Sequence, residues 1–151
     1  MALINLETYG ICNFLATDDK PDSFIEVDEL IAPVISILNK KGYKTVYSCS
    51  GHPYMSTIHD DCIAIDQYIL FDDNIVLPSC PKNYKLEISN YLSDTQLRFC
   101  IRYNEFDNSD TDYYRRYTKI IKQLKVLLEW AEGLPPYNKE DALKAFIKYF
   151  N

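Results

Sequence analysis

The stretch GYKTVYSCSGHP, Gly42 to Pro53, holds a change of secondary structure. Before it, VDELIAPVISILNKKG places Leu30, Ile31, Val34, Ile37 and Leu38 at helical spacing. Asp28 and Glu29 suit the start of that helix and Gly42 its C-terminal cap, while Pro33 sits near the start, where a missing N–H costs least. Within the stretch, YKTVYS is rich in Tyr, Thr and Val and reads as a strand. The chain then turns at Ser-Cys-Ser-Gly-His.

Further strands follow: CIAIDQYILF (Cys62 to Phe71), YKLEIS (Tyr84 to Ser89) and LRFCIRY (Leu97 to Tyr103), with a proline-bearing loop, DDNIVLPSCPKN, before the second of them. Polar residues from Asn104 to Asp112 break the pattern. A long helix runs from about Thr111 to Glu132, its apolar stripe made by Tyr113, Tyr117, Ile120, Ile121, Leu124, Leu127, Leu128 and Ala131. Asn138 caps a last helix, Lys139 to Tyr149, with Ala142, Leu143, Phe146 and Ile147 inward. The opening ALINLETYGICNFLA is apolar without a clear period and is left as strand or short helix. Strands grouped between helices predict an α+β fold: one antiparallel sheet of about four strands covered by helices, in a single domain, residues 1–151.

Composition narrows the function classes. The chain has 151 residues, 47% of them hydrophobic and 25% charged, enough to build a core and to argue against wholesale disorder. A formal net charge of −6 argues against non-specific nucleic-acid binding, which needs a positive field. Five cysteines, an odd number, fit a reducing compartment better than a disulfide framework. No signal-peptide pattern or membrane-length apolar run is visible, so the expectation is a cytoplasmic protein. The 13 tyrosines supply rings that pack and hydroxyls that need partners. Exposed ones leave a homo-oligomer open.

Three readings of the Ser-Cys-Ser-Gly-His turn follow from its chemistry. In the first, Ser48, Ser50 and Gly51 form a ligand cradle with His52: hydroxyls, backbone N–H groups and a glycine able to take positive φ suit an anion. The strand LRFCIRY supports it, because alternation puts Arg98, Cys100 and Arg102 on one face, and guanidinium groups match phosphate or carboxylate. Tyr43, Tyr47 and Tyr68, on neighbouring strands, would stack on a base. In the second, Cys49, His52, His59 and Cys62 make a C-x2-H-x6-H-x2-C set suited to zinc, although the short spacer and the neighbouring Asp60 and Asp61 crowd it. In the third, Cys49 is a thiol nucleophile activated by His52. The cradle is the preferred reading, with no catalytic residue, metal or cofactor assigned.

The segments LNKKGYKTVYSCSGH, YILFDD and LLEWAEGLP resemble small uncharacterised proteins carried by phages and prophages of Gram-positive bacteria, which share a Gly-Tyr, a short strand and a Ser-Cys-Ser-Gly-His turn. Ser48, Cys49, Ser50 and Gly51 are also similar to the Ser-Cys-Ser-Gly turn of the wybutosine-synthesis methyltransferase family, which uses S-adenosylmethionine. That family has Arg after the glycine, where this chain has His52. The first resemblance implies a binding role in a host cytoplasm: an anti-defence sponge that sequesters a small anionic nucleotide-derived immune signal. The second implies a methyltransferase-like alternative centred, like the zinc or thiol readings, on Cys49 and His52. A direct protein inhibitor of a host enzyme is the remaining alternative.

Overall fold

A computed structural model of the chain describes residues 1–13, 23–51, 65–90, 97–105 and 113–150. Within them lie two antiparallel sheets and three helices, an α+β arrangement. The four strands expected from their Tyr, Val and Ile content form one sheet. Numbered with the rest of the chain, they are β4 (Thr45–Ser50), β5 (Ile65–Phe71), β6 (Lys85–Ser89) and β7 (Arg98–Glu105), in spatial order β4-β5-β7-β6.

The N-terminal segment, ambiguous in sequence, is a second sheet. Its strands β1 (Ala2–Asn5), β2 (Ile11–Asn13) and β3 (Phe24–Val27) lie in order β2-β1-β3. Three or four residues per strand are too few for a period to show.

Helix α1 (Ala32–Lys40) begins later than Asp28 and Glu29 suggested. Pro33 sets the start: in the first turn its missing N–H is no loss and its fixed φ favours the helix. Gly42 then takes φ +93°, the left-handed geometry that ends many helices, and the next residues enter β4. Lys41 projects across to the end of α2 (Tyr113–Gly133), where its ammonium donates to the carbonyls of Ala131, Glu132 and Leu134 at 2.6–2.9 Å. A cation there satisfies orphan carbonyls and opposes the negative end of the helix dipole. Helix α3 (Lys139–Tyr149) is capped as expected, the Asn138 side chain accepting from the Asp141 N–H at 3.0 Å. No described helix is long and apolar enough to cross a membrane.

Both sheets feed one core. Ala2 and Ile4 of β1, Ile35 and Leu38 of α1, Ile65, Ile69 and Phe71 of β5, Ile101 of β7 and Ile120 and Leu127 of α2 are buried together. Burying each such large side chain contributes roughly 1.5–3 kcal/mol. Alternation along β5 therefore assigns the faces of the four-stranded sheet: Ile65, Gln67, Ile69 and Phe71 look toward the helices, and Asp66, Tyr68 and Leu70 look away.

One irregularity governs what β4 contributes. Thr45 pairs with Phe71, but Tyr47 pairs with Leu70, so a bulge at Val46 adds one residue to β4. A one-residue shift exchanges the faces of everything beyond it. Past the bulge, Tyr47 and Cys49 stand opposite Leu70 and Tyr68 on the outward face, and Ser48 and Ser50 stand opposite Ile69 and Gln67 on the helix face.

Candidate functional site

The outward face of the four-stranded sheet carries a hollow of about 380 Å³ lined by Tyr47, Tyr68, Leu70, Glu87, Ser89, Cys100 and Arg102. Its residues come from all four strands, brought together by register: Tyr68 lies opposite Arg102, Leu70 opposite Cys100, and Glu87 on the other side of Cys100. Leu70 and Cys100 form an apolar floor, with only 5% and 3% of their surfaces exposed.

Arg102 is held from two sides. Its Nη1 donates to both carboxylate oxygens of Asp66, at 2.8 and 2.7 Å, and its Nε donates to Glu87 Oε2 at 3.2 Å. Its guanidinium carbon stands 4.9 Å from the centre of the Tyr68 ring, a cation–π arrangement. Burial works against the charge, but the hydrogen bond that Arg102 donates to Asp66 and the negative charges of Asp66 and Glu87 outweigh it and push the Arg102 pKa up. The guanidinium is thus fixed in orientation, and the two carboxylates outweigh its single positive charge. Among the described residues, the bonds to Asp66 and Glu87 come from Nη1 and Nε.

Two other groups in the hollow stay protonated. Desolvation, then the neighbouring Cys49 and Asp66, raises the Tyr68 pKa, so its hydroxyl remains a donor at neutral pH. Desolvation likewise pushes the Cys100 thiol up to about 11. A thiol held neutral on the floor is a packing group, not a nucleophile.

No family model, curated protein or solved structure matches this chain. The site is therefore read from its own geometry.

Of the residues singled out in sequence, Tyr47, Tyr68 and Arg102 meet in the hollow. Arg98 shares their face but sits at the other end of β7, opposite Ser89, where its charge helps lower the Asp72 pKa; it does not line the hollow. Four residues of strand separate the two guanidinium-bearing positions by about 13 Å.

The serines of the turn lie elsewhere. Ser50 uses both its N–H and its Oγ on Asp28 Oδ2, at 3.0 and 3.2 Å, which ties the end of β4 to the β3–α1 junction. Ser48 lines a smaller cleft of about 210 Å³ between β3 and β4, with Glu26 and Asp28.

Gly51 does take positive φ, +83°, as its place in the turn suggested. What approaches it is the protein itself: an added Cβ would stand 2.6 Å from Gln67 Cγ and 3.2 Å from Ile65 Cγ2. The shared hollow expected for the turn and both arginines is therefore corrected. Ser50 and Gly51 face the helix side, and Arg102 alone of the two arginines lines the outward hollow.

His52, like His59 and Cys62 of the alternative zinc set, lies outside the described residues. Among the described residues no group of three or more His, Cys, Asp or Glu is placed to hold a metal. Leu70, Glu87, Ser89 and Cys100, together with Asp66 behind Arg102, were missed in sequence. Alternation on each strand carried part of the signal, but the pairing of strands did not show.

Proposed function

We propose that the chain is a binding protein that holds one small nucleotide-derived molecule in the outward hollow and does not transform it. The observation that carries this reading is the convergence of two tyrosines and a fixed guanidinium over an apolar floor in a space of about 380 Å³. Small-molecule sites of this type run from about 300 to 1,000 Å³, so this one lies at the lower end, near the size of a mononucleotide. A planar ring would lie over Leu70 and Cys100, between Tyr47 and the Tyr68–Arg102 stack. One anionic group would take the Nη2 donors of Arg102. Because Asp66 and Glu87 together outweigh Arg102 by one negative charge, a ligand with no more than one anionic group suits the hollow better than a polyphosphate.

Cys100, the thiol on the floor, is held neutral by burial and suits packing, while the thiol alternative rests on Cys49, which stands on the same outward face opposite Tyr68. The likeness of the Gly-Tyr strand and Ser-Cys-Ser-Gly-His turn to phage proteins extends the reading: the molecule held would be a nucleotide-derived immune signal removed from circulation. Titration calorimetry against AMP, ADP-ribose, a cyclic dinucleotide and S-adenosylmethionine tests it, with mass spectrometry of the recovered compound. The expected result is binding of one class, recovered intact, and weakened about tenfold or more by Tyr68→Ala and by Arg102→Gln. A compound returned chemically altered, or binding indifferent to both substitutions, overturns it.

A further inference from the structure

We infer that two copies of this chain associate through β6, joining their four-stranded sheets into one of eight strands. Among the described residues β6 pairs with β7 alone, and no described strand pairs with its other edge, the kind of edge that can accept a further strand. Edge lysines usually discourage such pairing. Here the strand reads Lys85-Leu86-Glu87-Ile88-Ser89, and its charges are self-complementary.

Register with β7 puts Lys85 and Glu87 on the face of the hollow and Leu86 and Ile88 on the helix face. A two-fold axis through Leu86 sets each Lys85 opposite Glu87 of the partner subunit, with Cβ atoms about 4.5–5.5 Å apart. On the other face it sets Leu86 against its own copy and Ile88 against Tyr84 of the partner subunit, so apolar meets apolar. Moving the axis to Glu87 would bring two carboxylates together. An axis at Lys85 would bring two ammonium groups together, so of these three registers the one centred on Leu86 alone avoids like charges.

Helix α3 supplies the rest of the surface. Its inward stripe was expected to include Leu143 and Ile147, yet these are 45% and 54% exposed, and Phe150 beyond them is 44% exposed. They recur at i, i+4 and i+7, one side of a helix. This side continues into Phe146, which stacks on Phe99 at 5.4 Å, and Phe99 lies opposite Ile88, itself 58% exposed. The apolar band thus runs from α3 to the open edge of β6. Extending the sheet across a two-fold axis would bring the second copy's α3 over the same band.

The same pairing would alter the hollow. Glu87 stands at its lip, bonded to Arg102. Lys85 of the partner subunit would draw on that carboxylate from outside, leaving more of the Arg102 charge for a ligand. This consequence, unlike the dimer itself, rests on the proposed binding site.

A charge-exchange experiment followed by sedimentation velocity tests the inference. The parent protein is expected to dimerise between micromolar and near-millimolar concentration. Lys85→Glu and Glu87→Lys should each weaken the dimer about tenfold or more by placing like charges opposite one another. An equimolar mixture of the two variants should recover it, because both cross-strand contacts then pair opposite charges. A parent that stays monomeric, a dimer insensitive to both substitutions, or a mixture that fails to recover overturns the inference. Far-ultraviolet circular dichroism checks that each variant is folded. Calorimetry on Lys85→Glu separates this from the site reading: a monomer that binds AMP as tightly as the parent dimer counts against the dimer's role only, and a parent dimer that binds no AMP counts against the site only.

Discussion

Replacing Gly51 by alanine should damage stability rather than any ligand cradle, and the structure gives the size. Gly51 has φ +83°, where a side chain costs about 1–2 kcal/mol. The new Cβ would lie 2.6 Å from Gln67 Cγ, so Gln67 must move. Gln67 is fully buried; its Nε2 donates to the Ile120 carbonyl at 3.1 Å, and its Oε1 accepts from the Tyr84 hydroxyl at 2.8 Å. Displacing it leaves at least one buried polar group unpaired, costing about 1–3 kcal/mol. Together the terms come to roughly 2–5 kcal/mol, which for a chain of this size lowers Tm by about 4–20 °C. Denaturant unfolding followed by tryptophan fluorescence reads it, Trp130 being the single tryptophan. Adding Gln67→Ala to Gly51→Ala should cost less than the sum of the two single changes, since the colliding Cγ is gone. Strict additivity, or a stable Gly51→Ala protein that has lost ligand binding, would refute the reasoning.

Other outcomes follow from single contacts. Lys41→Met removes the ammonium from the last carbonyls of α2 and should cost about 1–3 kcal/mol, read by denaturant midpoint; a loss near zero would show that water replaces it. Desolvation holds Cys80 and Cys100 up at about 11 and, with the neighbouring Tyr137, Tyr43 up at about 12 in the folded chain. Raised acids stabilise the fold fully below their unfolded values and lose that contribution as pH climbs through the folded ones. Stability should therefore stay level from pH 7 to about 8.5 and decline through about 9–11 as the thiols ionise, with Cys80→Ala plus Cys100→Ala flattening the decline. A decline unchanged in that variant would place its origin elsewhere. Arg102→Gln should change thermal stability by less than about 1 kcal/mol, because its partners are partly solvated, while weakening ligand binding.

Regular elements were the part of the fold most legible in the sequence. The four long-range strands announced themselves by β-branched and aromatic content, and the last two helices by their apolar period. Pro33 decided where α1 begins, against the acidic residues before it. The N-terminal strands were too short to carry a period. The site was half legible for a physical reason: alternation correctly placed Arg98, Cys100 and Arg102 on one face of β7, but one inserted residue at Val46 decides which side chains of β4 join them. Without that bulge Ser48 would stand opposite Tyr68; with it, Cys49 does. The carboxylates of Asp66 and Glu87 reach Arg102 only through strand register, which pairs residues far apart in the chain. Gly51 was rightly expected to need a left-handed backbone, and the neighbour that crowds it proved to be Gln67.

The most direct test of the central claim is a two-dimensional NMR titration of the labelled protein with AMP. The account predicts shifts concentrated at Tyr47, Tyr68, Leu70, Cys100 and Arg102, with Ser50 and Gly51 unmoved. Shifts centred on Ser50 and Gly51, or no saturable change at the hollow, would contradict it.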